Sequence, residues 1–224
     1  MENPWLSLRG TGSPYVFDKD RAKIDKYNHS VRNPGAKVIL DVISEPFIGN
    51  PDSAQVVLLG LNPGYSASDP AWHAREDFRT ALFLNLGHKL QDYPFYPLNP
   101  AFAESGAGSW WRKRTRQLRE ASGLDDQTFA ERFMVIEWFP YHSVTFEVPK
   151  DKFESKEYSF QLARDMLAKK LVVRMRSKSL WTNVDPRFGE SSLLNPQCGY
   201  ITPGNTEGGL FGRIVEALRG KSQP

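Results

Sequence analysis

Asn62 sits in the run Gly60-Leu61-Asn62-Pro63-Gly64-Tyr65, directly after the apolar residues Val56 to Leu59. An amide there can orient a water through its oxygen. It cannot take a proton as a carboxylate can, so any catalysis through it rests on positioning and electrostatics. Glu137 interrupts an otherwise apolar stretch, Phe133 to Phe139, and His142 and Ser143 follow Pro140. Either Glu137 or His142 would serve a hydrolase as a base. Arg112, Lys113, Arg114, Arg116 and Arg119 fall within one candidate helix. Arg112, Arg116 and Arg119 share a face by helical spacing and would suit phosphates. Each residue also has a plainer reading: a turn cap for Asn62, an exposed or Arg-paired carboxylate for Glu137, an ordinary loop histidine, and a solvated helix face.

The elements that must position these residues follow from apolar patterning. Val56 to Leu59 does not alternate with polar residues, which predicts a strand buried on both faces. Gly60 lets the backbone turn there, and Gly64 allows positive φ or close approach of a ligand. Phe133 to Phe139 reads as a second strand, Lys178 to Val184 as a third and Gly199 to Thr202 as a short fourth. Helices are expected over Asp18 to Tyr27, Phe78 to Leu90, Trp110 to Ala121 with Ser109 as N-cap, Asp126 to Arg132, Glu157 to Arg174 and Gly209 to Leu218. Lys37 to Ser44 reads as a short strand or helix, and Phe47 to Pro51 as a turn-rich approach to the first strand. Strands alternating with helices predict an α/β fold, a three-layer α/β/α sandwich with a small, mainly parallel four-stranded sheet. Residues 1–50 read as an N-terminal extension packed on a domain spanning 51–224. Four loops (62–66, 140–143, 182–185 and 202–206) should then meet at the carboxyl edge of the sheet, where open α/β sheets bind ligands.

Gly60-Leu61-Asn62-Pro63-Gly64 resembles the first motif of the uracil-DNA glycosylase superfamily, in the Gly-X-Asn-Pro-Gly form of its mismatch-specific and single-strand-selective branches. The resemblance implies the same small parallel-sheet fold over roughly residues 50 to 220. It implies that Asn62 positions the water attacking the sugar C1′, and that Gly60, Leu61, Pro63, Gly64 and Tyr65 form part of the base site. Gly64 falls where strict uracil enzymes carry a Tyr that bars thymine's methyl, so a roomier pocket is implied. Trp72 and Phe78 are candidates to stack on a flipped base; core packing is the commoner fate of aromatics and the preferred reading of Phe78, which begins a helix. In several branches an Asn at the end of the second strand bonds the base's Watson–Crick edge, and Glu137 falls at that place. A carboxylate only accepts, which suits an N–H donor edge and repels a carbonyl. The second motif normally opens with His. Here Ile201-Thr202-Pro203-Gly204-Asn205 places Thr202 there, with Asn205 as a loose substitute and His142 as a donor from another loop.

Bulk properties set the outer bounds. The chain has 224 residues, 40% apolar and 25% charged, with a net charge of +3, which suits a globular domain and permits nucleic-acid binding without arguing for it. Cys198 is the single cysteine, so no intrachain disulfide or cysteine-ligated metal or iron–sulfur cluster can form. The four histidines show no metal-ligand spacing. No metal and no cofactor are expected. No apolar run spans a membrane and the N-terminus shows no signal pattern, so a cytoplasmic location is expected. The leading expectation is a DNA glycosylase cleaving a deaminated or damaged base. The alternatives are a non-catalytic relative binding a nucleobase, nucleotide or nucleic acid, and a different hydrolase on a similar sheet.

Overall fold

The computed structural model describes residues 1–10, 12–195 and 198–220; residues 221–224, at the expected end of the domain, lie outside the described residues. It is an α/β fold with a mixed, mostly parallel sheet in the order β1-β3-β2-β4. The strands are β1 (Phe47–Ile48), β2 (Val56–Leu59), β3 (Phe133–Ile136) and β4 (Leu171–Arg174). β2 runs parallel to both β3 and β4, with Leu59 opposite Ile136 on one side and Arg174 on the other. Every residue of β2 and β3 is buried, which is why neither strand alternates.

The helices are α1 (Asp18–Ser30), α2 (Asp69–Ala74), α3 (Glu76–Leu86), α4 (Gly106–Ser122), α5 (Asp126–Arg132), α6 (Ser155–Leu167), α7 (Lys178–Thr182) and α8 (Leu210–Leu218). α3 packs on β1, α5 on β3, α6 on β4 and α8 on β2. No helix among the described residues is long and apolar enough to cross a membrane.

The sheet has four strands, but two lie elsewhere than expected. Lys178 to Val184 is not the third strand; its first five residues form α7, whose Trp181 is fully buried and donates from Nε1 to Gly60 O at 2.6 Å. Gly199 to Thr202 is not a strand either. The sheet instead takes Leu171–Arg174, which the apolar spacing predicts as the last turn of the preceding helix. Leu167 and Leu171 continue the helical spacing, but the β-branched pair Val172-Val173 is buried beside β2 and completes the ladder there. The fourth strand, β1, comes from the first fifty residues. It pairs antiparallel with β3, Phe47 opposite Ile136. α4 starts four residues earlier than expected, capped by Ser105, whose Oγ accepts from Gly108 N at 2.9 Å.

Candidate functional site

The antiparallel β1 decides which residues reach the carboxyl edge. Because β1 runs against β3, the residues before it, Glu45 and Pro46, lie beside the residues that follow β3, and Glu137 N donates to Pro46 O at 2.9 Å. Leu61 and Asn62 follow β2, Glu137 follows β3, and Met175 and Arg176 follow β4. All of these except Pro46 line one cavity of about 490 Å³, joined by residues of the loop after β2, by His142 and Ser143, and by Gly106, Ala107 and Trp110 at the start of α4.

Asn62 is half-buried on this wall. Its Nδ2 donates to Pro63 O and to Ser143 Oγ, both at 2.9 Å. Those two bonds fix the orientation of the amide, and Oδ1 remains as the atom with acceptor capacity to spare. Pro63, Gly64, Tyr65 and Leu61 line the cavity with it. Gly64 is not among the positive-φ glycines; a Cβ there would meet nothing within 4 Å, so its lack of a side chain enlarges the open space at the wall. Gly60 is needed for a different reason than a turn. A Cβ on it would lie 2.1 Å from Glu137 Oε2 and 2.6 Å from Cδ, so the glycine makes room for the carboxyl.

Glu137 is 6% exposed. The Leu61 backbone N–H bonds its carboxyl, while Oε2 is buried with no partner. Burial pushes its pKa up to about 8, against the pull of Arg176 and with a further push from Glu45. Asp69, also on the wall, accepts from Ser66 N at 2.7 Å. Burial raises it as well.

Glu45, His73 and His142 are all buried at one side of the cavity, and their side-chain donor atoms fall within 4.8 Å of one another. Sequence spacing gave no hint of this cluster, because the three come from the stretch before β1, from α2 and from the loop after β3. Glu45 Oε1 lies 3.7 Å from His73 Nε2 and 3.8 Å from His142 Nε2. The hydrogen bonds argue against metal ligation in this arrangement. Ile43 N donates to His73 Nδ1 at 3.0 Å, so the ring keeps its hydrogen on Nε2, the nitrogen that would have to face the metal. Burial holds His73 neutral, with its pKa down at about 3. His142 lies with Nδ1 2.7 Å from Gly64 O and Nε2 3.0 Å from Ile43 O. Whichever nitrogen of this ring carries the hydrogen has a carbonyl to receive it. His142 therefore braces residue 43 against the Asn62 loop. It reaches the cavity as expected.

The remaining expected residues divide. Phe78, 2% exposed, lines the cavity and meets Tyr96 and Phe102 edge-on at 5.5 and 5.0 Å. Trp72 stays off the wall, packed on Phe78 at 5.7 Å with Arg75 over its ring at 4.4 Å. Thr202 and Asn205 are not on the wall. Asn205 is spent on its own loop: Oδ1 accepts from Asn195 N at 2.6 Å and Nδ2 donates to Tyr200 O at 2.7 Å. On α4, Arg112 and Arg119 both pair with Asp126, at 2.9 and 2.7 Å, and Arg116 lies 3.9 Å from Glu120. The expected phosphate face is thus neutralised in part by acids. Arg114 differs: its guanidinium lies over Trp110 at 4.4 Å and Tyr200 at 4.8 Å, beside the cavity that Trp110 lines. Glu45, His73, Asp69, Trp110 and Arg176 carried no distinguishing signal in the sequence. Comparison of the chain with protein-family models, with curated proteins and with solved structures finds no match.

Proposed function

We propose that the cavity receives a nucleobase extruded from DNA and that the protein hydrolyses its N-glycosidic bond, as the likeness of Gly60–Gly64 to the glycosylase motif implies. The observation that carries this reading is Asn62. It stands at the carboxyl end of β2, with Nδ2 held by Pro63 O and Ser143 Oγ and Oδ1 unspent, in a cavity it shares with Phe78 and Glu137. In this reading Oδ1 accepts from a water and aims it at C1′ of the sugar. The water oxygen bonds to C1′, the bond to the base nitrogen breaks with its electrons going to the base, and the water's proton passes to solvent. Preorganisation of the amide, already fixed before any ligand arrives, is what would lower the barrier. Phe78 offers an apolar ring to the base, and Arg176 on the same wall opposes negative charge building on the leaving group.

A second reading has its own support. Asn205 is saturated by its loop and Thr202 lies off the wall, so no residue of that stretch faces a departing base. A non-catalytic protein that binds a base, a nucleotide or nucleic acid would need only the cavity. Labelled oligonucleotides carrying uracil, hypoxanthine, xanthine, N-alkylated purines or a G·T mismatch, single- and double-stranded, separate the two when treated with alkali after incubation. Strand cleavage at any lesion supports the glycosylase; binding without cleavage supports the second reading.

A further inference from the structure

We propose that Glu137 reads the edge of the bound base through Oε2, and that the class it selects is a purine presenting N–H donors, above all a cationic N-alkylated one, in place of uracil. This rests on the base-pocket reading above and names its substrate. The geometry is specific. Glu137 lines the cavity, its Oε2 is buried with no partner among the described residues, and Leu61 N–H takes a share of the same carboxyl. The chain is built around this group, since a Cβ at Gly60 would sit 2.1 Å from Oε2. A buried carboxyl oxygen left without a partner, ionised or protonated, is costly and rarely kept without a use.

The surrounding charge points the same way. Three carboxyls line the cavity: Glu137, Glu45 from the stretch before β1, and Asp69 from α2. Burial holds all three above the ordinary carboxylate range. Among them stand Arg176, which follows β4 and already pulls on Glu137, His142, and His73, which burial keeps neutral. A carbonyl turned toward Glu137 would meet an oxygen with nothing to offer once that carboxyl ionises. A ring carrying positive charge or a pair of N–H donors would supply the missing partner and favour the ionised form of Glu137. The cavity, about 490 Å³, is in the range of small-ligand sites.

The test is nucleoside binding, read by the fluorescence of Trp110 and Trp111 on the cavity wall and by calorimetry. The expected order is 7-methylguanosine above guanosine above uridine, with about tenfold or more between first and last. Guanosine affinity should rise as pH approaches 8, because the bound form needs Glu137 ionised, and calorimetry in two buffers should show a proton released on binding. The substitution Glu137→Gln should weaken the cation about tenfold or more, flatten that pH profile and improve uridine, because an amide offers a donor as well as an acceptor. Affinity that falls as pH rises through 8, equal affinities, or an unchanged ranking in Glu137→Gln would overturn the inference; the wild-type pH profile decides it even if the variant folds poorly. Uracil release that depends on Asn62 and ignores Glu137→Gln would sink this inference and leave the glycosylase reading standing. The expected ranking without base release would do the reverse. No nucleoside binding at all would remove both.

Discussion

Asn62 and Asn205 are both asparagines beside a proline-containing turn, and they do opposite things with their amides. Asn205 uses both ends: Oδ1 takes Asn195 N, and Nδ2 gives to Tyr200 O, and more weakly to Asn195 O. Asn62 commits only Nδ2 to hydrogen bonds and lines a cavity, with Oδ1 left to accept. Asp20 and Glu137 repeat the contrast among carboxyls. Asp20, fully buried, accepts from Tyr141 OH, Glu154 N and Ser155 Oγ, whereas Glu137 has an oxygen with no partner. A saturated polar group holds the fold together. One with capacity left over, aimed into a cavity, is where a ligand can be gained.

The sharpest way to break this comparison is to truncate both asparagines. Asn62→Ala should lower base release by about 100-fold or more, as loss of a preorganised polar group does, with little change in melting temperature. Asn205→Ala should do the opposite, costing about 1–3 kcal/mol of stability through the donor and acceptors it strands while leaving the rate per folded molecule nearly unchanged. Denaturant titration beside single-turnover kinetics would expose a reversal of these two effects.

The carboxyl pair sharpens it further. Asp20→Ala strands three donors and should cost on the order of 3 kcal/mol or more. Glu137→Gln should behave differently and depend on pH. Glu137 has its folded-state pKa raised to about 8 from the usual 4.5, so between those values the folded protein binds more protons than the unfolded one. Stability is then highest at low pH and is lost as pH rises through about 8. Glu137→Gln removes that loss, so its melting temperature should overtake the wild type's progressively between pH 5 and pH 8. His73 acts with the opposite sign, its depressed pKa of about 3 adding stability as pH rises toward 6.5, so the difference between the two proteins, and not the wild-type curve alone, is the quantity to follow.

The smallest expected effect concerns α4. Arg114, which lies over Trp110 and Tyr200 and forms no ion pair with an acid among the described residues, should reduce the salt dependence of oligonucleotide binding by about one unit of slope when changed to Ala. Arg116→Ala should barely alter it, because Arg116 stands exposed near Glu120.

What could be read beforehand follows from how local each signal is. Val56–Leu59 and Phe133–Ile136 were legible because a continuous apolar run beside a turn needs no partner to be recognised. Leu171–Arg174 was hidden because Leu167 and Leu171 keep a helix's spacing across the break; only the proximity of β2 decides for strand. Two residues, Phe47 and Ile48, are too few to announce β1, and its antiparallel direction is what carries Glu45 to the site. Asn62 was visible as a polar residue just after an apolar run, and Glu137 as one that interrupts another. The Glu45–His73–His142 cluster was not, since its members share no element. Asn205 was misplaced because a sequence cannot show that an amide is already satisfied.

The most direct test of the central claim is single-turnover release of base from damaged oligonucleotides by the wild type and by Asn62→Ala, both verified as folded. The account predicts release by the wild type and about 100-fold less, or none, by the variant. Equal rates in the two proteins would contradict it, because a cavity-lining amide held by Pro63 and Ser143 with its oxygen uncommitted would then have no part in the reaction.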